Sequence, residues 1–229
     1  GASDTHTGAI SDDESNFTSK IGIFDGTPEG RGSAPLTGEN LELVLQAPIR
    51  QLNLKKIGDR YFNNAVFNQW GASGLAAVWA EENTRNSIFE AFRRKETYAT
   101  SGTRIKLRFF AGYDLDGSLL DSDDAIKQAY KLGVPMGQDL ESSDGAKPSF
   151  LVWALRDKNS APLQRVQIIK GWVDRITGKP YEEVIDIMCS DGLMPDPETN
   201  RCPDNGALVD ISDCSISSDV GANELKTVW

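Results

Sequence analysis

The sequence predicts two architectures in series: an α/β part over residues 1–102 and an antiparallel immunoglobulin-like β-sandwich over residues 103–229. Three observations carry this. A short apolar strand, a turn and an amphipathic helix follow one another between Leu75 and Lys95. After Gly102 the period switches from helical to alternating, with Ile105, Leu107 and Phe109 on one side and Arg104, Lys106 and Arg108 on the other. Further apolar runs are then punctuated by turn residues, among them Asp157-Lys158-Asn159-Ser160 and Thr177-Gly178-Lys179-Pro180.

The elements follow in order. Gly22, Gly26, Pro28, Gly30, Gly32, Pro35 and Gly38 break the run from Ser19 to Gly38 into a long loop. A short helix is predicted from Glu39 to Gln46, ended by Pro48, and Leu52, Leu54, Ile57, Tyr61 and Phe62 weakly continue an apolar face. Leu75 to Trp79 reads as a strand, after which Asn83 or Thr84 caps a helix from Arg85 to Lys95 by accepting from its first free N–H groups. Ile88, Phe89, Ala91 and Phe92 form the inner face of that helix. Ser122 or Asp121 caps a second helix from Asp123 to Leu132, with Gly133 as its stop. Three strands are expected at Ser149 to Arg156, Arg165 to Val173 and Glu183 to Cys189.

Charge narrows the partners. With a formal net charge of −10 over 229 residues, the chain has no overall basic field for nucleic acid or an anionic membrane, so neither is an expected partner. The longest apolar run, from Gly74 to Ala80, is too short to cross a bilayer. Cys189 and Cys202 flank a Pro- and Asp-rich loop in the way a disulfide staples a surface loop, which points to a periplasmic or secreted protein. Cys214 is then left over, free or paired outside the chain, and three reduced thiols in the cytoplasm is the competing reading.

The chemistry-bearing residues are sparse. Asp4 and His6, the only histidine, have the spacing with which a carboxylate and an imidazole can both reach a first-row metal ion, although a solvated tail with an incidental histidine accounts for the same spacing. A Ser3–His6 or Ser101–His6 nucleophile pair lacks a Gly-x-Ser-x-Gly turn to support it. Arg85, Arg93, Arg94, Thr97, Tyr98, Thr100 and Ser101 form a set able to hold a phosphate, with Arg85, Tyr98 and Thr100 as the substrate-binding candidates; a solvated helix end is the alternative. Asp191, Asp196, Glu198, Asp204 and Asp210 offer oxygen ligands without EF-hand spacing, so a solvated acidic loop is the better reading.

Gly1-Ala2-Ser3-Asp4-Thr5-His6 resembles the late Gly-Ser-Asp-x-His motif of the polymerase and histidinol phosphatase (PHP) superfamily of metallohydrolases. Gly74 to Arg85, followed by Phe89 to Gly102, resembles the segment that closes the PHP domain. A closer resemblance, through Arg104 to Gly112, Val134-Pro135-Met136-Gly137 and Val166 to Trp172, is to the bacterial domain of unknown function 3604 (DUF3604) family. The resemblance implies the C-terminal part of a distorted barrel before the sandwich, in a chain cut at both ends. It also implies Asp4 and His6 as ligands to divalent metal ions of the Zn, Mn or Fe class in the parent protein. The expected activity is metal-dependent hydrolysis of a phosphoester or related ester, with a small, anionic ester as substrate and the remainder of the PHP domain as partner. The family's His-x-His motif has no counterpart here, so the isolated chain is expected to be inactive. A non-catalytic β-rich binding or structural module is the alternative.

Overall fold

The structure, a computed structural model, describes residues 13, 17, 26–47, 53–64, 71–143, 145–210, 212–213 and 215–229. The chain divides into two compact units, one of Gly1–Ala76 with Ala99–Gly102 and one of Ala77–Tyr98 with Thr103–Trp229. It is a mixed α/β protein built mainly of small antiparallel sheets, and the described strands form no closed barrel.

In the smaller unit, the Thr27 hydroxyl accepts from the Gly30 N–H and starts α1, Pro28–Arg31. Helix α2 spans Gly38–Leu45. The stretch expected to continue a helical face is instead a hairpin: β1, Leu54–Ile57, pairs antiparallel with β2, Arg60–Asn63. Gly58 and Asp59 form a two-residue loop between the strands, a hairpin signal that outweighs the weak apolar spacing. The hairpin is tied in by Leu36 N–H donating to the Tyr61 carbonyl (2.8 Å) and by the Asn63 amide donating to the Gly30 carbonyl (2.9 Å).

Strand β3, Ala76–Val78, pairs with β4, Thr97–Ala99, and the Thr84-capped helix α3, Arg85–Arg93, lies between them in sequence. The alternating run after Gly102 becomes β5, Lys106–Gly112. Helix α4, Ala125–Leu132, ends at Gly133, and the chain turns directly into β6, Gly133–Pro135. With β7, Ser149–Leu155, and β12, Glu224–Val228, these strands form a sheet of order β12-β7-β5-β6. Strand alternation sends β7 residues to both faces. Leu151 joins Phe110, Leu115, Leu119 and Ala129 in a core on the α4 side. Val152 and Ala154 join Leu163, Val166 and Leu225 on the other side. Full burial of a side chain such as Leu151 or Phe110 contributes about 2–3 kcal/mol, so both faces of this sheet are held by sizeable apolar contacts.

The second face is covered by the base of a long hairpin, β8 (Arg165–Val173) with β9 (Pro180–Cys189), through Val166, Ile168, Ile187 and Met188. Its register runs Gln167↔Asp186, Lys170↔Glu183, Trp172↔Tyr181 and Val173↔Pro180, with a bulge between Val166 and Gln167. Strands β10 (Val209–Asp210) and β11 (Ser215–Ile216) form a small separate pair.

Candidate functional site

Within the larger unit, the turn after α3 places a buried carboxylate at the wall of an open basin. Lys95 adopts a left-handed backbone (φ 59°), and the Glu96 N–H donates to the Ala91 carbonyl (3.1 Å), closing the helix. Gly137, from the loop after β6, fits against this turn. Its φ is +80°, and a Cβ there would lie 1.9 Å from the Lys95 carbonyl oxygen, so only glycine permits the approach. The Gln138 side chain donates to the Arg94 carbonyl from the same loop. The backbone of residues 94–96 is thereby fixed from both sides.

Glu96, only 4 % exposed, gathers three partners. Its Oε1 accepts from the Tyr130 hydroxyl and lies 3.7 Å from Arg108 Nη1; its Oε2 lies 3.4 Å from Arg94 Nη2. Arg108 Nη1 also donates to the Tyr130 oxygen (2.9 Å), and its guanidinium sits 3.5 Å from the centre of the Trp79 ring. Trp79 is held in place because its indole N–H donates to the Leu107 carbonyl (2.8 Å) and its backbone N–H to the Glu96 carbonyl (3.1 Å). Ala80 and Glu81 complete a basin of about 500 Å³.

This arrangement favours recognition over catalysis. Burial, reinforced by the hydrogen bond to Glu96, raises the Tyr130 phenol above its ordinary value, so at neutral pH it donates a proton in hydrogen bonds and does not act as a phenolate. Both Glu96 oxygens already have partners, which makes that side chain an anchor for the two arginines. Arg94 is about half exposed and uses one contact on Glu96, leaving a guanidinium fork with capacity for a ligand oxygen.

The other predicted site residues lie elsewhere. Asp4 and His6 fall outside the described residues, as does Cys214. Arg85 is exposed in the first turn of α3. Tyr98 is half-buried with its ring 6.0 Å from that of Trp79, and burial raises its phenol. The Thr100 hydroxyl accepts from the Leu75 N–H (3.1 Å), a local backbone tie. Cys189 and Cys202 are joined in a disulfide. Of the wider arginine and hydroxyl set, Arg94 lines the basin, beside Trp79, Glu96, Arg108 and Tyr130, which lie outside that set. The available signal was Glu96 directly after Arg93-Arg94-Lys95, together with an arginine on the polar side of β5.

A second polar cluster is structural. Asp186 is buried on β9, where it accepts from the Cys202 N–H (2.6 Å) and the Gln167 amide (2.6 Å) and pairs with Arg165 (3.1 Å) and Arg201 (3.5 Å). Burial pushes its carboxyl up, but these hydrogen bonds and charges outweigh burial and hold it below the usual range. In the acidic loop, Asp191 accepts from the Gly221 N–H, while Asp196 accepts from the Glu198 and Thr199 N–H groups. Asp204 and Asp210 likewise accept from Gly206 and Ser212. Asp196, Asp204 and Asp210 are used in capping turns, and Asp191 ties its loop to Gly221 thirty residues on.

Among the described residues, no group of three or more His, Cys, Asp or Glu side chains is placed to hold a metal ion, so these residues alone do not fit a metal centre. No described helix is long and apolar enough to cross a membrane. A family model described as a protein of unknown function (DUF3604) matches residues 1–229. No curated protein and no solved structure matches the chain.

Proposed function

The chain belongs to the DUF3604 family, and from this premise we infer that it is part of a metal-dependent hydrolase of a phosphoester or related ester, with the Glu96 basin recognising an anionic or strongly polar ligand group. The observation that carries the recognition role is the convergence of Arg94, Arg108 and Tyr130 on one buried carboxylate beside the Trp79 ring. A paired, pre-oriented guanidinium loses little freedom on taking a ligand oxygen. The metal role of Asp4 and His6 rests on the Asp-x-His motif, with Zn, Mn or Fe as the class of ion. No catalytic step is assigned to the described residues. The same reading includes the finer fold assignment, the end of a PHP-like barrel before an immunoglobulin-like sandwich. The β8–β9 hairpin packed on the β12-β7-β5-β6 sheet supports the sandwich part. It further includes a periplasmic or secreted location, which the Cys189–Cys202 disulfide supports.

The test is made on the natural full-length protein. Metal content and turnover of phosphomonoesters and phosphodiesters are measured for the native protein and for Asp4→Ala, His6→Ala and Arg94→Ala. The expected outcome is lost metal and lost turnover in the first two. In Arg94→Ala, metal is retained and KM rises about tenfold or more, the scale of one charge-assisted hydrogen bond. Unchanged metal content in Asp4→Ala and His6→Ala would sink the hydrolase assignment. Ligand binding through Arg94 without turnover would favour the non-catalytic module.

A further inference from the structure

The charges that line the Glu96 basin cancel: Arg94 and Arg108 stand against Glu81 and Glu96. Their engagement is unequal. Glu96 is buried and takes both arginines and the Tyr130 hydroxyl, and Arg108 is further committed to the Tyr130 oxygen and the Trp79 ring. Two charges keep free capacity. Arg94 has Glu96 as its one side-chain partner, and Glu81, which is exposed, has no hydrogen-bond or ion-pair partner among the described residues.

Both residues sit on anchored backbone. The Trp79 N–H donates to the Glu96 carbonyl (3.1 Å) and the Glu82 N–H to the Ser87 hydroxyl (3.2 Å), so the chain is tied on either side of Glu81. On the other wall, Gly137 and the Gln138 side chain hold the turn that carries Arg94. A basin of about 500 Å³, the size of a small-molecule site, thus offers one cation and one carboxylate to the same ligand. We propose that this basin takes an ester whose organic part carries an ammonium group, with the anionic group on Arg94 and the ammonium on Glu81. The assignment names the substrate class of the hydrolase reading and rests on anion recognition by Arg94.

Charge favours such a zwitterion over a simple anion. An anion alone adds negative charge to a basin that already holds the unpaired Glu81, in a chain whose total is −10. A ligand with a second anionic group meets Glu81 and is repelled, so the same carboxylate that attracts an ammonium excludes bisanionic esters. A hydroxyl also donates to a carboxylate, but a charged donor makes the stronger hydrogen bond. Because Glu81 is exposed, solvent screens the pair and the gain in affinity is modest, about threefold.

Binding of aminoalkyl phosphates of increasing chain length is measured by calorimetry on the full chain, beside alkyl and hydroxyalkyl phosphates of matching length. A preference of about threefold or more for the aminoalkyl phosphate is expected at one chain length or more. Glu81→Gln should remove that preference and Glu81→Lys should reverse it, while Arg94→Ala should weaken every phosphate. Glu81 is exposed, so unchanged thermal unfolding of its variants assigns the effect to the ligand. No preference for the ammonium at any length, a preference that survives Glu81→Gln, or equally tight hydroxyalkyl phosphates would overturn the proposal. In each of those cases, weakened binding in Arg94→Ala leaves anion recognition by the basin standing. Binding unchanged in Arg94→Ala, or no binding of any phosphate, would overturn both.

Discussion

Asp186 brings two arginines, an amide and the backbone of the disulfide loop onto one buried carboxylate, so its replacement tests the whole cluster. Asp186→Asn keeps the shape but removes the charge that Arg165 and Arg201 face. A loss of about 1–3 kcal/mol in urea unfolding at neutral pH is expected, because the Cys202 N–H and the Gln167 amide lose a charged acceptor and the two partly exposed arginines lose their counter-charge. The pH dependence has a definite sign. The folded carboxyl lies below its unfolded value of ~3.9, so its contribution is complete above that value and is lost as pH falls through the folded pKa. The native protein should therefore lose stability in acid by an increment that the variant lacks. The role of Asp186 has no local sign in the sequence, and that of Glu96 has only its place after Arg93-Arg94-Lys95 and an arginine on β5. Asp186 meets Arg165 across 21 positions and Glu96 meets Tyr130 across 34, whereas local charge spacing reports only neighbours on the same helix or strand.

The elements most legible in the sequence are those whose periodicity is complete within one segment. Thr84 and the helical spacing after it give α3, although Phe89 and Phe92, expected on its inner face, are exposed and only Ala91 is buried. Gly133 marks the end of α4, and the alternation around Leu107 gives β5. The β8 bounds of Arg165–Val173 follow in the same way from the punctuation around them. Strand β12 had no such signal. Its Leu225 finds a place only against Ala154 of β7, more than sixty residues earlier. The loop after β9 is constrained covalently, since Cys189 and Cys202 close a chain segment with a separation of 13 and a Cα–Cα distance of 5.7 Å. Reducing this bond is expected to lower unfolding stability by about 3 kcal/mol, the scale for a loop of that length. Comparing thermal midpoints with and without reductant checks this. A Cys189→Ala, Cys202→Ala variant insensitive to reductant is the control.

For the molecule as a whole, the switch of period at Gly102 is a change of local pattern, whereas the compact units follow packing. Residues 77–98 belong with 103–229, because Trp79 bonds to Leu107, Glu96 pairs with Arg108, and Gly137 seats against Lys95. A fragment of residues 77–229 is therefore expected to unfold cooperatively. A fragment of 103–229 should be less stable by several kcal/mol, having lost the partners of Arg108 and the turn that Gly137 fits, and paired urea titrations of the two fragments measure the difference. The interleaving also imposes an order on synthesis. The smaller unit cannot be completed until residues 99–102 have been added, and the ribosome must first add the 22 residues from Ala77 to Tyr98. At the usual pace of translation this is a delay of roughly 1–4 s, during which a nascent chain ending before Ala99 holds that unit unfinished.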